Sequence, residues 1–339
     1  MDDMTNAISY ADRLVAGGHS IDAIEALRVA NREAPDPAIE RRLAEVRYAA
    51  FDQLDRCSLF ERWPVPVIDL DTDGRAHVPE ITRPDLDADV VRRGILAHGS
   101  VLVRGLVDRD RVAEFVAGID KALAARAEGP SRMGHEDQSW FATLSLPAQQ
   151  AASLGRHWVA GSGGVLAADS PRLLFQMLET YEDVGLRHVV THYLGERPVL
   201  SANKCTMRKA PLTASTAWHQ DGAFLGSGIR ALNVWVALSD CGVDAPGLDL
   251  IPRRLDDVLE AGTGGAIFDW AVGPQIVDRL AAAAPVVCPV FQAGDAMLFD
   301  DLCLHRTAID STMTRPRYAI ESWFFAPTSY PAGQVPLVW

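Results

Sequence analysis

The apolar residues change rhythm part-way along the chain, and that change limits the fold more than any other feature. Before Pro198 they recur at helical spacing; after it they fall into short runs divided by turn signals. The stretches 199–208, 217–223, 231–238, 248–251, 286–291, 296–299 and 318–325 read as strands. Turns are signalled at Asp244-Ala245-Pro246-Gly247 and Ala293-Gly294-Asp295. Short strands in such close succession build an antiparallel barrel or sandwich. Only the 253–280 insert, which reads as mostly helical, interrupts them. No Gly-x-Gly-x-x-Gly follows a strand and no Walker lysine motif is present, so nothing supports a nucleotide-binding fold.

The first half is α-rich. Helices are expected at 86–98 (Val90, Val91, Ile95, Leu96), 110–127 (Val112, Phe115, Val116, Ile119, Leu123), 171–181 and 185–194, with a strand at 100–105. Polar, glycine-containing loops are expected at 129–138 and 161–164. The Pro-punctuated segment Trp63-Pro64-Val65-Pro66-Val67-Ile68-Asp69, with a turn at 71–74, divides an N-terminal helical region (1–60) from a main domain (61–339). Within that region Ala7, Tyr10 and Leu14 precede a Gly17-Gly18 break, and Ala23, Leu27 and Ala30 follow it, with Ser20 as the expected N-cap. Pro35 and Pro37 close the second helix and a third is expected at 38–54. The pattern is similar to one tetratricopeptide hairpin; a single copy cannot bury its own face, so it is read as a helical appendage available for homodimer formation or protein docking.

Composition narrows the function classes. A net charge of −13 and a pI near 5.1 disfavour a phosphate-backbone binder, so no nucleic acid is expected as partner. Five cysteines without a Cys-x-x-Cys pair fit a reducing compartment. No apolar run approaches the roughly 20 residues of a membrane span, and the acidic start Met1-Asp2-Asp3-Met4 lacks the basic region of a secretory signal. The expectation is a cytoplasmic protein, not at a membrane, acting on a small-molecule substrate.

Two short segments carry the chemistry: Trp218-His219-Gln220-Asp221 and Leu304-His305-Arg306-Thr307. In a strand, His219 and Asp221 leave the same face. Joined by His305, two imidazoles and one carboxylate occupy three cis positions of an octahedron and leave three open, the facial triad of non-haem iron enzymes. A structural zinc wants four closed ligands. A His-x-Asp pair arises easily by chance among nine histidines. What lifts it is the company: the turn and strand Gly294–Phe299 before His305, the basic pair Arg315 and Arg317 after it, and the apolar strand Leu232-Asn233-Val234-Trp235-Val236-Ala237-Leu238 between the two segments.

Taken together, Trp218–Asp221, Leu232–Leu238, Gly294-Asp295, His305 and Arg317-Tyr318-Ala319-Ile320 resemble the phytanoyl-CoA dioxygenase (PhyH-like) family over roughly residues 87–327. The resemblance implies an α+β fold with a double-stranded β-helix (jelly-roll, cupin-like) core flanked by helices. It implies Fe(II), 2-oxoglutarate as cosubstrate and O2, with His219, Asp221 and His305 as iron ligands. Arg317 matches the arginine that binds the far carboxylate of 2-oxoglutarate, with Arg315 as second choice; Trp235 and Thr307 match positions in the cosubstrate pocket, where Gln220 is also placed. Lys209-Ala210-Pro211 resembles a Lys-x-Pro feature of the family, and strand alternation assigns Asn203 to the pocket, with Lys204 and Lys209 flanking the strand. His135, Trp140 and Phe141 are candidate substrate contacts, whereas Cys303 reads as a small buried apolar residue.

Related halogenases carry Gly or Ala where this chain has Asp221, so the resemblance implies hydroxylation of an unactivated C–H bond with succinate and CO2 as coproducts. Desaturation, epimerisation and cyclisation remain open, as does a non-catalytic metal-binding barrel. A cupin-type isomerase or zinc hydrolase gives no reason for the late arginine.

Overall fold

A computed structural model describes residues 2–67, 76–129, 134, 137–213 and 217–339; the expected turn at 71–74 and His135 lie outside them. The helices are α1 (Asp2–Ala16), α2 (Ser20–Glu33), α3 (Pro37–Ala49), α4 (Ala88–His98), α5 (Arg109–Glu128), α6 (Asp137–Trp140), α7 (Ala148–Ser153), α8 (Arg156–Gly161), α9 (Pro171–Asp183), α10 (Leu186–Leu194), α11 (Gly222–Leu225) and α12 (Pro274–Ala281). The strands are β1 (Glu80–Thr82), β2 (Ser100–Arg104), β3 (Gly164–Leu166), β4 (Val199–Ala210), β5 (Ala231–Ala237), β6 (Gly247–Leu250), β7 (Ala296–Phe299), β8 (His305–Ala308), β9 (Arg317–Phe325) and β10 (Pro336–Val338). Among the described residues no helix is long and apolar enough to cross a membrane.

Local chemistry sets the ends of these elements. The Asp36 carboxylate accepts from the amides of Ala38 and Ile39 to open α3, with Pro37 as its first residue. Asp87 caps α4 through Asp89, and Gly99 ends it at φ 81°, a conformation that favours glycine. Ser20 is the first residue of α2 and His19 its N-cap, one position earlier than expected.

The large sheet runs β1-β2-β7-β5-β9-β4-β10, with β3 added to β4; β1 pairs with β2 in parallel and every other pairing is antiparallel. A second sheet pairs β6 with β8. Alternation along the large sheet divides its side chains cleanly. Val101, Val103, Leu232, Val234, Val236, Leu298, Ile320 and Phe324 pack against α4, α5, α9 and α10. Leu102, Trp235, Ala237, Met297, Phe299, Ala319, Trp323 and Phe325 face the other way, onto Leu248 and Leu250 of the small sheet. Both faces are covered, so the central strands read as continuous apolar runs. Helices α1–α3 share a separate cluster, Ala23, Leu27, Ile39, Leu43 and Val46, which reaches Val199 and Val338 at the β4–β10 edge. Buried Arg47 donates to the Val338 carbonyl at 2.7 Å from the same side. The chain is an α+β protein with a large, mostly antiparallel sheet.

Three expectations are corrected. Residues 217–223 form no strand: His219 makes one bridge to His305, and the backbone then turns into α11. The 253–280 insert is helical only in α12, because its glycines and short polar residues favour turns over a continuous helix. Residues 286–291 contribute only the isolated bridges Leu250–Val287 and Cys241–Phe291. Residues 162–163 form the expected turn, and an unexpected strand, β3, starts at Gly164.

Candidate metal centre

His219 and His305 are brought together by their own backbones. The amide of each donates to the carbonyl of the other, at 3.0 and 3.1 Å, so the two imidazoles leave adjacent chains at one level with ring centroids 4.4 Å apart. His219 Nδ1 lies 3.0 Å from the Ala217 carbonyl and His305 Nδ1 3.1 Å from that of Cys303. A carbonyl only accepts, so each Nδ1 carries the proton and each Nε2 presents its lone pair. Cys303 is buried, as expected, and its backbone does the positioning.

Asp221 reaches the same point by a different route from the one the sequence suggests. Its backbone is helical (φ −64°, ψ −26°) at the head of α11, anchored where the Gly222 amide donates to the Asp301 carbonyl at 2.9 Å. A Cβ on Gly222 would sit 2.9 Å from Val258 and 3.0 Å from the Asp301 carboxylate, so the tight turn requires glycine. Asp221 Oδ1 accepts from Lys204 Nζ at 2.9 Å. Oδ2 lies 3.7 Å from His305 Nε2 and, though buried, has no hydrogen-bond partner. Ligand atoms of His219, Asp221 and His305 all lie within 4.8 Å of one another.

The protonation states suit a cation. Burial, helped by neighbouring His305, pushes the His219 imidazole down to about 4, so it is neutral at physiological pH. Burial alone would raise Asp221, but the adjacent Lys204 ammonium outweighs it and holds the carboxyl well below its usual range. An unpartnered buried carboxylate oxygen beside two imidazole lone pairs is costly unless something binds it. This donor set fits a divalent first-row metal such as Fe(II).

Of the two late arginines, the structure sends Arg317 inward. It opens β9, is buried, and its Nη1 donates to the carbonyls of Pro246 (3.3 Å) and Gly247 (2.8 Å). Its Nε has no partner, and its guanidinium lies 5.1 Å from the centre of the Trp235 ring. Burial lowers its pKa to about 10, which leaves it cationic at neutral pH. No carboxylate among the described residues lies within ion-pair distance of it. Arg315 is at the surface, paired with Asp244 at 2.7 Å. Gly247, which holds Arg317, pairs with Ala308, and Leu248 pairs with Thr307. The guanidinium is therefore tethered at the Thr307 end of the small sheet. Thr307 shares a strand face with His305, two residues away. Trp235 packs edge-on against Phe291 at 4.9 Å.

Gln220 and Asn203 are placed elsewhere. Gln220 donates to the carbonyls of Leu302 (2.7 Å) and Asp257 (3.3 Å) and accepts from Leu259 (2.7 Å), so it ties the metal turn to the 253–273 segment. Asn203 bridges the Ser153 carbonyl and the Val335 amide. A register shift in β4 between Leu200 and Cys205 breaks the alternation that assigned Asn203 inward. It turns Cys205 and Met207 to the helix side and gives the inward place to Lys204. Lys204 is the residue that reading strand alternation misses. The available signal is one of only three lysines in the chain, set inside a core strand. Lys209 points outward to Asp120 and Tyr318. Trp140 lies against the helix-side core, beneath Lys121 and Arg172.

Two imidazoles and a carboxylate whose ligand atoms converge, in a chain that also buries an arginine held only by backbone carbonyls, are a donor set compatible with a non-haem iron enzyme. Residues 96–317 match the phytanoyl-CoA dioxygenase (PhyH) family model, more than half of the chain, and the chain belongs to that family of Fe(II)- and 2-oxoglutarate-dependent oxygenases. Its cofactors are iron, 2-oxoglutarate and O2. Among solved structures, the chain is similar to EctD from S. alaskensis with 2-oxoglutarate and 5-hydroxyectoine (17% identity, TM-score 0.47, covering 68% of this chain and 73% of that one). It is also similar to the epimerase SnoN in complex with Fe3+, alpha ketoglutarate and nogalamycin RO (19% identity, TM-score 0.42, 70% and 83%). No curated protein sequence matches.

Proposed function

We propose that this oxygenase hydroxylates an unactivated C–H bond of a small or medium organic metabolite, with His219, Asp221 and His305 as the iron ligands and Arg317 as the anchor of 2-oxoglutarate. The observation that carries the reading is a pair of buried atoms without hydrogen-bond partners: Asp221 Oδ2, available to a cation, and Arg317 Nε, on a buried guanidinium available to an anion. The small sheet β6–β8 lying over the inner face of the large one supports a double-stranded β-helix as the frame between them.

When bound, iron and 2-oxoglutarate supply oxidation of a C–H bond by O2, with succinate and CO2 as coproducts. The chain's own residues orient and neutralise. The Nδ1–H groups of His219 and His305, held by backbone carbonyls, fix both rings in the ligating tautomer. Lys204 occupies Asp221 Oδ1, so the carboxylate offers one oxygen rather than two. Arg317 is a forked, permanently charged donor pre-set by the Pro246 and Gly247 carbonyls, suited to a carboxylate in a way a lysine is not. Thr307 supplies a hydroxyl donor to that carboxylate and Trp235 walls the cavity. The carboxylate at 221, where a halogenase leaves space for halide, favours return of hydroxyl.

The test is substrate-dependent conversion of 2-oxoglutarate to succinate by anaerobically iron-loaded protein, with His219→Ala as control and product analysis to separate hydroxylation from desaturation, epimerisation or cyclisation. The reading expects succinate from the wild type only. Failure to bind iron, or equal turnover by the variant, contradicts it.

A further inference from the structure

We propose that the substrate of this site is a neutral or cationic molecule with a flat, ring-based apolar body, stacked on an aromatic shelf that the 253–273 segment holds beside His219; this rests on the triad being the iron site. The segment is pinned to the metal turn near both ends. Gln220 holds Asp257 and Leu259, and the Val272 amide donates to the Trp218 carbonyl at 2.8 Å. Between these pins the Gly262 amide donates to the Ala271 carbonyl at 2.9 Å and closes the loop. Its outer stretch carries Phe268 and Trp270, whose rings are stacked 5.1 Å apart at an interplanar angle of 5°.

The shelf adjoins the reaction centre. The Trp270 ring lies edge-on 5.9 Å from that of His219 and 6.0 Å from that of Phe224; Phe224 is itself 6.4 Å from His219. Phe268 is 43% exposed, Phe224 44% and Ile267 78%. A group of large apolar side chains open to water against a metal ligand is a surface built to be covered. A flexible acyl chain gains only buried area there, whereas a flat ring also gains stacking geometry on the paired rings.

Charge selects further. Arg253 and Arg254 stand against Asp256, Asp257, Glu260 and Asp269 in this segment, and Arg254 is already paired with Asp300 at 2.9 Å. The acidic excess, in a chain of net charge −13, disfavours a polyanionic acyl-CoA and leaves a neutral or cationic ring, the latter also attracted by the aromatic faces.

The experiment uses anaerobic protein carrying Fe(II) and 2-oxoglutarate, titrated with 9-aminoacridine and with 1-naphthol, followed by probe fluorescence, with decanoyl-CoA as competitor. Expected are saturable binding of both probes in mutual competition, displacement by decanoyl-CoA only at much higher concentration, and roughly tenfold weaker binding in Phe268→Ala and Trp270→Ala, with Trp270→Phe restoring most of it. Phe268 is exposed enough that its loss leaves the fold intact. Probe affinity unchanged in both alanine variants, or decanoyl-CoA binding more tightly than the flat probes, overturns the shelf. The visible charge-transfer absorption of Fe(II) with 2-oxoglutarate is recorded on the same samples. Its absence while probes still bind overturns the iron reading, and with it the role of the bound molecule as substrate; its presence without shelf-dependent binding overturns the shelf alone.

Discussion

Asp221 and Arg317 are buried to the same extent, each 3% exposed, and carry opposite charges, yet the chain treats them differently. Asp221 has a counter-ion of its own, Lys204 at 2.9 Å, and is left with one idle oxygen. Arg317 has two backbone carbonyls and, among the described residues, no carboxylate. Isolated buried charge is expensive, so the two residues make different demands on whatever binds beside them. On the reading proposed above, Asp221 would take a small cation that shares an existing ion pair, and Arg317 would take an anion that supplies the missing charge.

The comparison makes graded demands. Asp221→Ala removes both the metal's carboxylate and the partner of Lys204; succinate formation is expected to fall to background, and turnover near the wild-type level would break the account. Lys204→Met strands Asp221 without its counter-ion. The expected cost in metal-free protein is about 3 kcal/mol, the lower end for a broken buried pair because Lys204 is partly exposed, together with roughly 10–100-fold weaker metal binding. Urea unfolding and metal titration measure the two parts. Arg317→Met breaks no ion pair. It is expected to raise the KM for 2-oxoglutarate about tenfold or more, from the loss of charged hydrogen bonds, while the melting temperature of the metal-free protein stays level or rises. A large drop in melting temperature would show that Arg317 is a structural cation instead.

An effect visible only as a pH dependence of stability comes from a third buried group. Burial, then neighbouring Asp300, pushes the Asp301 carboxyl up to about 7. Its folded-state pKa exceeds the unfolded one, so the stability it confers is complete below about pH 4 and is lost as pH rises through about 7. Asp301→Asn is therefore expected to match the wild type at pH 4 and to be more stable at pH 8, by thermal melts across that range.

Much of this was legible in the sequence where one signal sufficed. The central strands announced themselves because both faces of the sheet are buried, as did the two histidines and Asp221 through their local pattern. What sequence reading missed depends on tertiary arrangement. Asp221 joins the histidines through a helical turn rather than by strand alternation, and a register shift in β4 exchanged Asn203 for Lys204. Gln220 sits between two ligands and looks like a pocket residue, but its three hydrogen bonds are to backbone groups distant in sequence. Strand β8 escaped notice because four residues, two of them exposed in part and one a candidate ligand, carry little apolar pattern.

The most direct measurement is an anaerobic titration of Fe(II) into the protein with 2-oxoglutarate present, followed by visible charge-transfer absorption. The account expects the band to saturate at one iron per chain, to vanish when both His219 and His305 are replaced by Ala, to require more iron in Asp221→Ala, and to require more 2-oxoglutarate in Arg317→Met. A band that never forms, or one that survives unchanged without the two histidines, would contradict it.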